Sequence, residues 1–228
     1  MRTTHGTAIV GGVITGSRLE VHVEAGLPSR TGSATVAWTF DPAFWGVCGQ
    51  GRDECSAVLA LAGAVGRPVR ALAVVERIDD PEECFARDRV PATLGERRRT
   101  AAILGTARHE TLRLVAEASP AVLDWVDPCG PPPSCGNWRT LRQVAWHVAD
   151  TESRVYPGRL GLPARAPTQD LLTELRRSHD HVLGVVADVP GDLCAGGWTT
   201  VKMLRRLAWH ERAEVGVMRD LCYRARAA

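Results

Sequence analysis

A chain of 228 residues, 45% hydrophobic and 24% charged, can bury a sizeable core and is too apolar for wholesale disorder. Its 28 basic and 26 acidic residues leave a formal charge of +2, which excludes the single-signed field that steers a protein to nucleic acid. No window approaches the roughly 20 apolar residues that cross a bilayer, so no membrane partner is expected, the location is read as cytoplasmic, and the seven cysteines should stay reduced there.

Residues 1–16 hold a short apolar run broken by Gly11 and Gly12, with no cleavage pattern after a long apolar core; they read as a strand over 7–14 rather than a leader. Further β-favouring runs punctuated by Gly, Pro and Ser predict strands over 18–24, 34–40 and 69–77. Between the last two, residues 52–65 open at Asp53 as an N-cap and close at Gly66 and Pro68, which predicts a helix. Strands with one helix across them give a small α+β domain over 1–80. Past Pro81 the texture changes to long amphipathic segments, 94–119, 140–156, 168–189 and 199–223, which suit a four-helix bundle over 81–228. The Pro- and Gly-rich stretches 127–136 and 157–167 cannot continue a helix and are connections. The first carries Cys129 and Cys135, whose spacing lacks a second cysteine pair, so free thiols are expected. The fold class is α+β.

On a wheel of about 100° per residue, Leu204, Leu207, His210, Glu214, Val217, Met218 and Leu221 share the inward face of the last helix, with Arg205, Arg212, Arg219 and Asp220 opposite. A buried carboxylate needs a cation, an arginine or a proton, so Glu214 needs a partner. The same wheel over 140–156 makes Leu141, Val144, Val148 and Val155 apolar, puts His147 at the edge of that face and Thr151 one turn on. His210 and Glu214 on one helix with His147 from another form a one-sided, three-ligand set that leaves positions open on a divalent metal. Imidazole and carboxylate suit Zn²⁺, Ni²⁺, Fe²⁺ or Mn²⁺ without choosing among them. The competing reading keeps the two histidines as hydrogen-bonded core residues.

Arg154 and Arg206 flank the proposed cavity and, with Thr151, are the candidate substrate-binding residues; no residue is assigned to catalysis. His179 and His181 are two apart and cannot share a site, so they read as surface or packing residues. Trp146 and Trp209 pack against neighbouring helices or a homodimer partner, Thr199 caps the last helix behind Trp198, and Arg97, Arg98 and Arg99 form a wet face.

Two stretches carry a family resemblance. Residues 137–152 resemble the second helix of the DinB/YfiT-like superfamily, whose metal-binding histidine lies in an H-hydrophobic-A-D-x-E context, here His147-Val148-Ala149-Asp150-Thr151-Glu152. Residues 197–214 are similar to that family's fourth helix, where H-E-x-x-H supplies two ligands; His210 and Glu214 occupy those positions, Glu214 where histidine is usual. A mixed His/Glu set occurs in thiol-dependent members. The turn Cys48-Gly49-Gln50-Gly51 before a helix resembles a HicB-like N-terminal domain. The resemblance implies a metal-binding bundle enzyme, a thiol-linked transferase or isomerase acting on a small molecule. An Arg-, Ala- and Gly-rich composition of GC-rich type, with Lys202 the one lysine, makes mycothiol the natural thiol. The reading from another class is a noncatalytic small-molecule-binding or interaction protein that keeps the bundle and has lost the metal.

Overall fold

The computed structural model describes residues 18–29, 32–130 and 138–228; the strand expected over 7–14 and Cys135 lie outside them. The N-terminal part is a four-stranded sheet of β1 (Leu19–Ser29), β2 (Gly32–Trp38), β3 (Cys48–Gly51) and β4 (Leu72–Ile78), in the order β3-β2-β1-β4. Neighbours are antiparallel except β1 and β4, which are parallel. Parallel strands need a long crossover, and α1 (Glu54–Ala64), between β3 and β4, supplies it. Asp53 caps α1 in a reciprocal capping box with Ser56.

Strand β3 was not expected, because two of its four residues are glycine. Those glycines are needed: a Cβ on Gly49 would stand 2.2 Å from the Ala57 carbonyl oxygen, so only glycine lets α1 lie directly on this edge strand. Residues 69–71, expected as strand, form a 3-10 turn that delivers the chain to β4.

Alternation along β1 sends Leu19, Val21 and Val23 against Ala57, Val58 and Leu61 of α1. The intervening His22 and Glu24 are also buried, because the second face of the sheet is covered too. Val36, Trp38 and Ile78 on that face pack with Phe85, and Trp209 joins them from the last helix.

The remaining long helices are α2 (Leu94–Glu117), α4 (Leu141–Asp150), α6 (Leu171–Asp188) and α7 (Thr200–Ala227), with short α3 (Pro120–Leu123) and α5 (Tyr156–Arg159) in the connections. Thr93, Thr140, Asp170 and Thr199 cap the four long ones. Helices α2 and α4 each pack on both α6 and α7, around Leu114, Val144, Leu175 and Met218 at one level and Leu104, Val182, Leu204 and Leu207 at another. The class is thus α+β, as expected. No helix of the described residues is long and apolar enough to cross a membrane.

Between α4 and α5 the chain passes through a π turn, Thr151–Val155, in which the Tyr156 N–H reaches the Thr151 carbonyl. Pro157 explains it. Proline has no N–H for the Ser153 carbonyl and its ring crowds that oxygen, so the helix widens by one residue there.

Helix α7 is not amphipathic in its first half. Every residue from 200 to 208 is buried, including Arg205, assigned above to the solvent face. The sheet lies on that side: Arg205 makes a bidentate pair with Asp88 at 2.9 and 2.8 Å, and Arg206 pairs with Glu24, which also accepts from Trp38 Nε1 at 2.8 Å. Gly46 (φ 73°) brings the loop between β2 and β3 onto α7, where a Cβ would stand 2.6 Å from that of Ala208. Next to it Trp45 reaches into the helical core and donates to Thr100 Oγ1 at 2.9 Å. The change of texture at 80/81 is therefore not a gap in packing. Buried Lys202 ties the connecting segment down, donating to the carbonyls of Pro81 (2.6 Å), Glu83 (2.5 Å) and Gly197 (3.2 Å). Arg97, expected to be wet, instead donates to the Val186 carbonyl at 2.7 Å and to that of Val189, capping the end of α6; Arg98 and Arg99 are exposed.

Candidate metal centre

Helices α4 and α7 bring His147, His210 and Glu214 together, with one ligand atom from each inside a sphere of mutual distances below 4.8 Å. The Nε2 atoms of His147 and His210 are 3.0 Å apart, and Glu214 Oε1 is 3.8 Å from His210 Nε2. Two nitrogens on a tetrahedral cation with bonds of 2.0–2.1 Å would be separated by about 3.3 Å, so small side-chain adjustments admit an ion between them. The Thr151 hydroxyl lies 3.3 Å from His147 Nδ1 and leaves Nε2 to face the cluster. The Trp138 ring lies over His147 at 4.9 Å, and Tyr156 stands edge-on to His210 at 5.8 Å.

Burial sets the electrostatics. It lowers His147, and with help from His147 and Arg108 it pushes His210 down to about 3, so both imidazoles are neutral at pH 7, each with one unprotonated ring nitrogen. The same desolvation pushes Glu214 up to about 7. Its Oε2 and the Nδ1 of His210 are buried without a hydrogen-bond partner among the described residues. A donor set of two neutral imidazoles and one under-partnered carboxylate fits a divalent cation, and the cluster can hold one.

Directly beyond lies a group that the wheel overlooked. Glu152, from the π turn, and Glu211, from α7, are fully buried with Arg108 of α2, which donates to Glu152 at 2.5 Å and lies 3.7 Å from Glu211. Ser178 also donates to Glu152, at 3.1 Å. Desolvation raises both carboxyls, Glu211 the more because Glu152 adds its charge. The signal for Glu211 was present: it follows Leu204 by seven residues and shares its face. The signal for Glu152 was present too, since it follows Val148 by four residues on the same face; what the π turn shifts out of phase is Val155, expected on the apolar face and 41% exposed.

Of the candidate substrate residues, Thr151 is at the cluster. Arg154 is instead held by Asp150 and, at 2.9 Å, by Glu174, and Arg206 is buried against Glu24; their carboxylate partners use the donors that a substrate would need. Trp209 packs edge-on to Trp38 at 5.7 Å and Trp146 against the helical core. His179 and His181 are half-buried packing residues and Cys129 is exposed. In comparisons with family models, curated proteins and solved structures, nothing matches the chain.

Proposed function

We propose that the protein is a divalent-metal-dependent enzyme of the DinB-like kind, a transferase or isomerase that joins a low-molecular-weight thiol such as mycothiol to chemistry on a small molecule. The observation that carries the reading is the charge of the buried cluster. Glu152 and Glu211 share one guanidinium, Arg108, and Glu214, one turn from Glu211 on α7, has no cation paired with it among the described residues, so full ionisation leaves two negative charges among buried groups. A divalent cation beside Glu214 neutralises them; without one, protons must. The likeness of residues 137–152 and 197–214 to the family's ligand-bearing helices supports the same assignment, with a HicB-like sheet domain in front.

A bound cation supplies Lewis acidity toward an oxygen or thiol of the substrate. The protein's own residues prepare the place for it. His147 and His210 stay neutral through burial, Thr151 orients the His147 ring, and Trp138 and Tyr156 pack against the two imidazoles. The second reading, a small-molecule-binding bundle without metal, draws on the 3.0 Å contact between the two Nε2 atoms, across which one neutral imidazole can donate to the other.

The two part in a calorimetric titration of untagged, chelator-treated protein with Zn²⁺, Ni²⁺, Fe²⁺ or Mn²⁺ at pH 6.5, in buffers of different ionisation enthalpy. The metal reading expects one saturable site, release of about one proton or more per ion, and loss of affinity by at least about a hundredfold in His210→Ala. A flat titration with all four ions, together with an unchanged melting temperature, would leave only the histidine pair.

A further inference from the structure

A cavity of about 1020 Å³ opens at the end of the sheet where β1 begins, walled by the chain after β2 and by the turn ahead of β4. It is as large as the pockets that enclose drug-sized ligands, roughly 300–1,000 Å³. Four arginines line it, Arg18, Arg67, Arg70 and Arg87, against the two carboxylates Glu20 and Asp41. Arg87 is already paired with Glu96, and Asp41 accepts the Ala43 N–H at 2.8 Å. Among the described residues no carboxylate lies within 4.0 Å of the guanidinium of Arg18, Arg67 or Arg70.

Like charges that share a concavity repel one another, and an oxyanion between them removes the repulsion while accepting paired hydrogen bonds. Beside the arginines the wall also has an apolar part, made by Leu19, Phe40, Pro42, Pro68 and Ala71. Phe40 lines the cavity with His22, whose ring it meets edge-on at 4.7 Å. His22 is 6% exposed, with Nε2 3.8 Å from Glu76 and Nδ1 unpartnered.

We propose that this cleft is a binding site for a small organic oxyanion, a carboxylate or phosphate on a flat apolar body, with Arg67 and Arg70 taking the anion and Phe40 facing the body. It shares no residue with the histidine cluster and does not depend on the metal reading.

The test uses the full chain and three naphthalene probes: 2-naphthoate, 2-naphthyl phosphate and the neutral 2-naphthamide, titrated by calorimetry with ligand-observed NMR. At least one anion should bind at a single saturable site, about tenfold or more tighter than the amide, and Arg70→Gln and Arg67→Gln should each weaken it about tenfold without lowering the melting temperature. A preference for the phosphate ester assigns a dianionic headgroup; a preference for naphthoate assigns a carboxylate. Equal affinity for the amide, affinity unchanged in both variants, or no binding of either anion at about 10 mM would overturn the proposal.

Discussion

Burial pushes His210 and Glu214, one turn apart on α7, in opposite directions, and that opposition is measurable. His210 falls from 6.5 to about 3, so its contribution to stability is present above pH 6.5 and is lost as pH falls toward 3. Glu214 rises from 4.5 to about 7, so its contribution is present below pH 4.5 and is lost as pH rises through 7. Between pH 4.5 and 6.5 the two slopes oppose each other. Glu214→Gln removes the second, so in chelator the variant should gain stability over the unmodified protein as pH rises from 4.5 to 7, by at most about 3 kcal/mol. Parallel curves from urea denaturation at stepped pH would mean that Glu214 does not titrate as buried. His210, Glu214 and His147 were legible in the sequence because ionisable groups on an apolar helical face are costly and stand out. Arg205 and Glu24 were not, since each looks wet until the other surface arrives.

At the scale of elements, a regular period reveals what one-sided burial imposes and misses what a second layer or an irregular turn does. Helices α1, α2, α6 and α7 announce themselves through caps and spacing. Strand β3 does not, because Gly49 is selected by the approach of α1 rather than by strand preference. The π turn misleads in the same way, by breaking the phase that the wheel assumes and turning Val155 out to solvent. The loop at Gly46 fixes how the sheet meets α7, through a contact and a positive φ that a side chain would spoil. Gly46→Val should therefore cost on the order of 2–4 kcal/mol in chemical denaturation. A cost within about 0.5 kcal/mol, the range of ordinary surface substitutions, would show that the loop is free to move off the helix.

Across the whole molecule, the sequence shows two textures whereas the packing shows one connected interior. Trp45 from the sheet side sits in the helical core, and the Glu24, Arg205, Arg206 and Asp88 network lies between sheet and helices. Breaking such a buried network by separating its halves strands charges at a cost of about 3–5 kcal/mol, so neither half is stable once the other has opened. Urea unfolding should follow a single transition, coincident by tryptophan fluorescence and by far-ultraviolet circular dichroism. Two separated midpoints would make the sheet and the helices independent units. The enclosure of Lys202 has a consequence of a different kind. It carries the only side-chain amine of the chain and is held by three carbonyls under the Trp198 ring, 5.1 Å from its centroid. Acylating and cross-linking reagents thus find no lysine on the native surface, and modification of Lys202 counts the openings of the region where α7 meets the segment that joins the sheet to the helices.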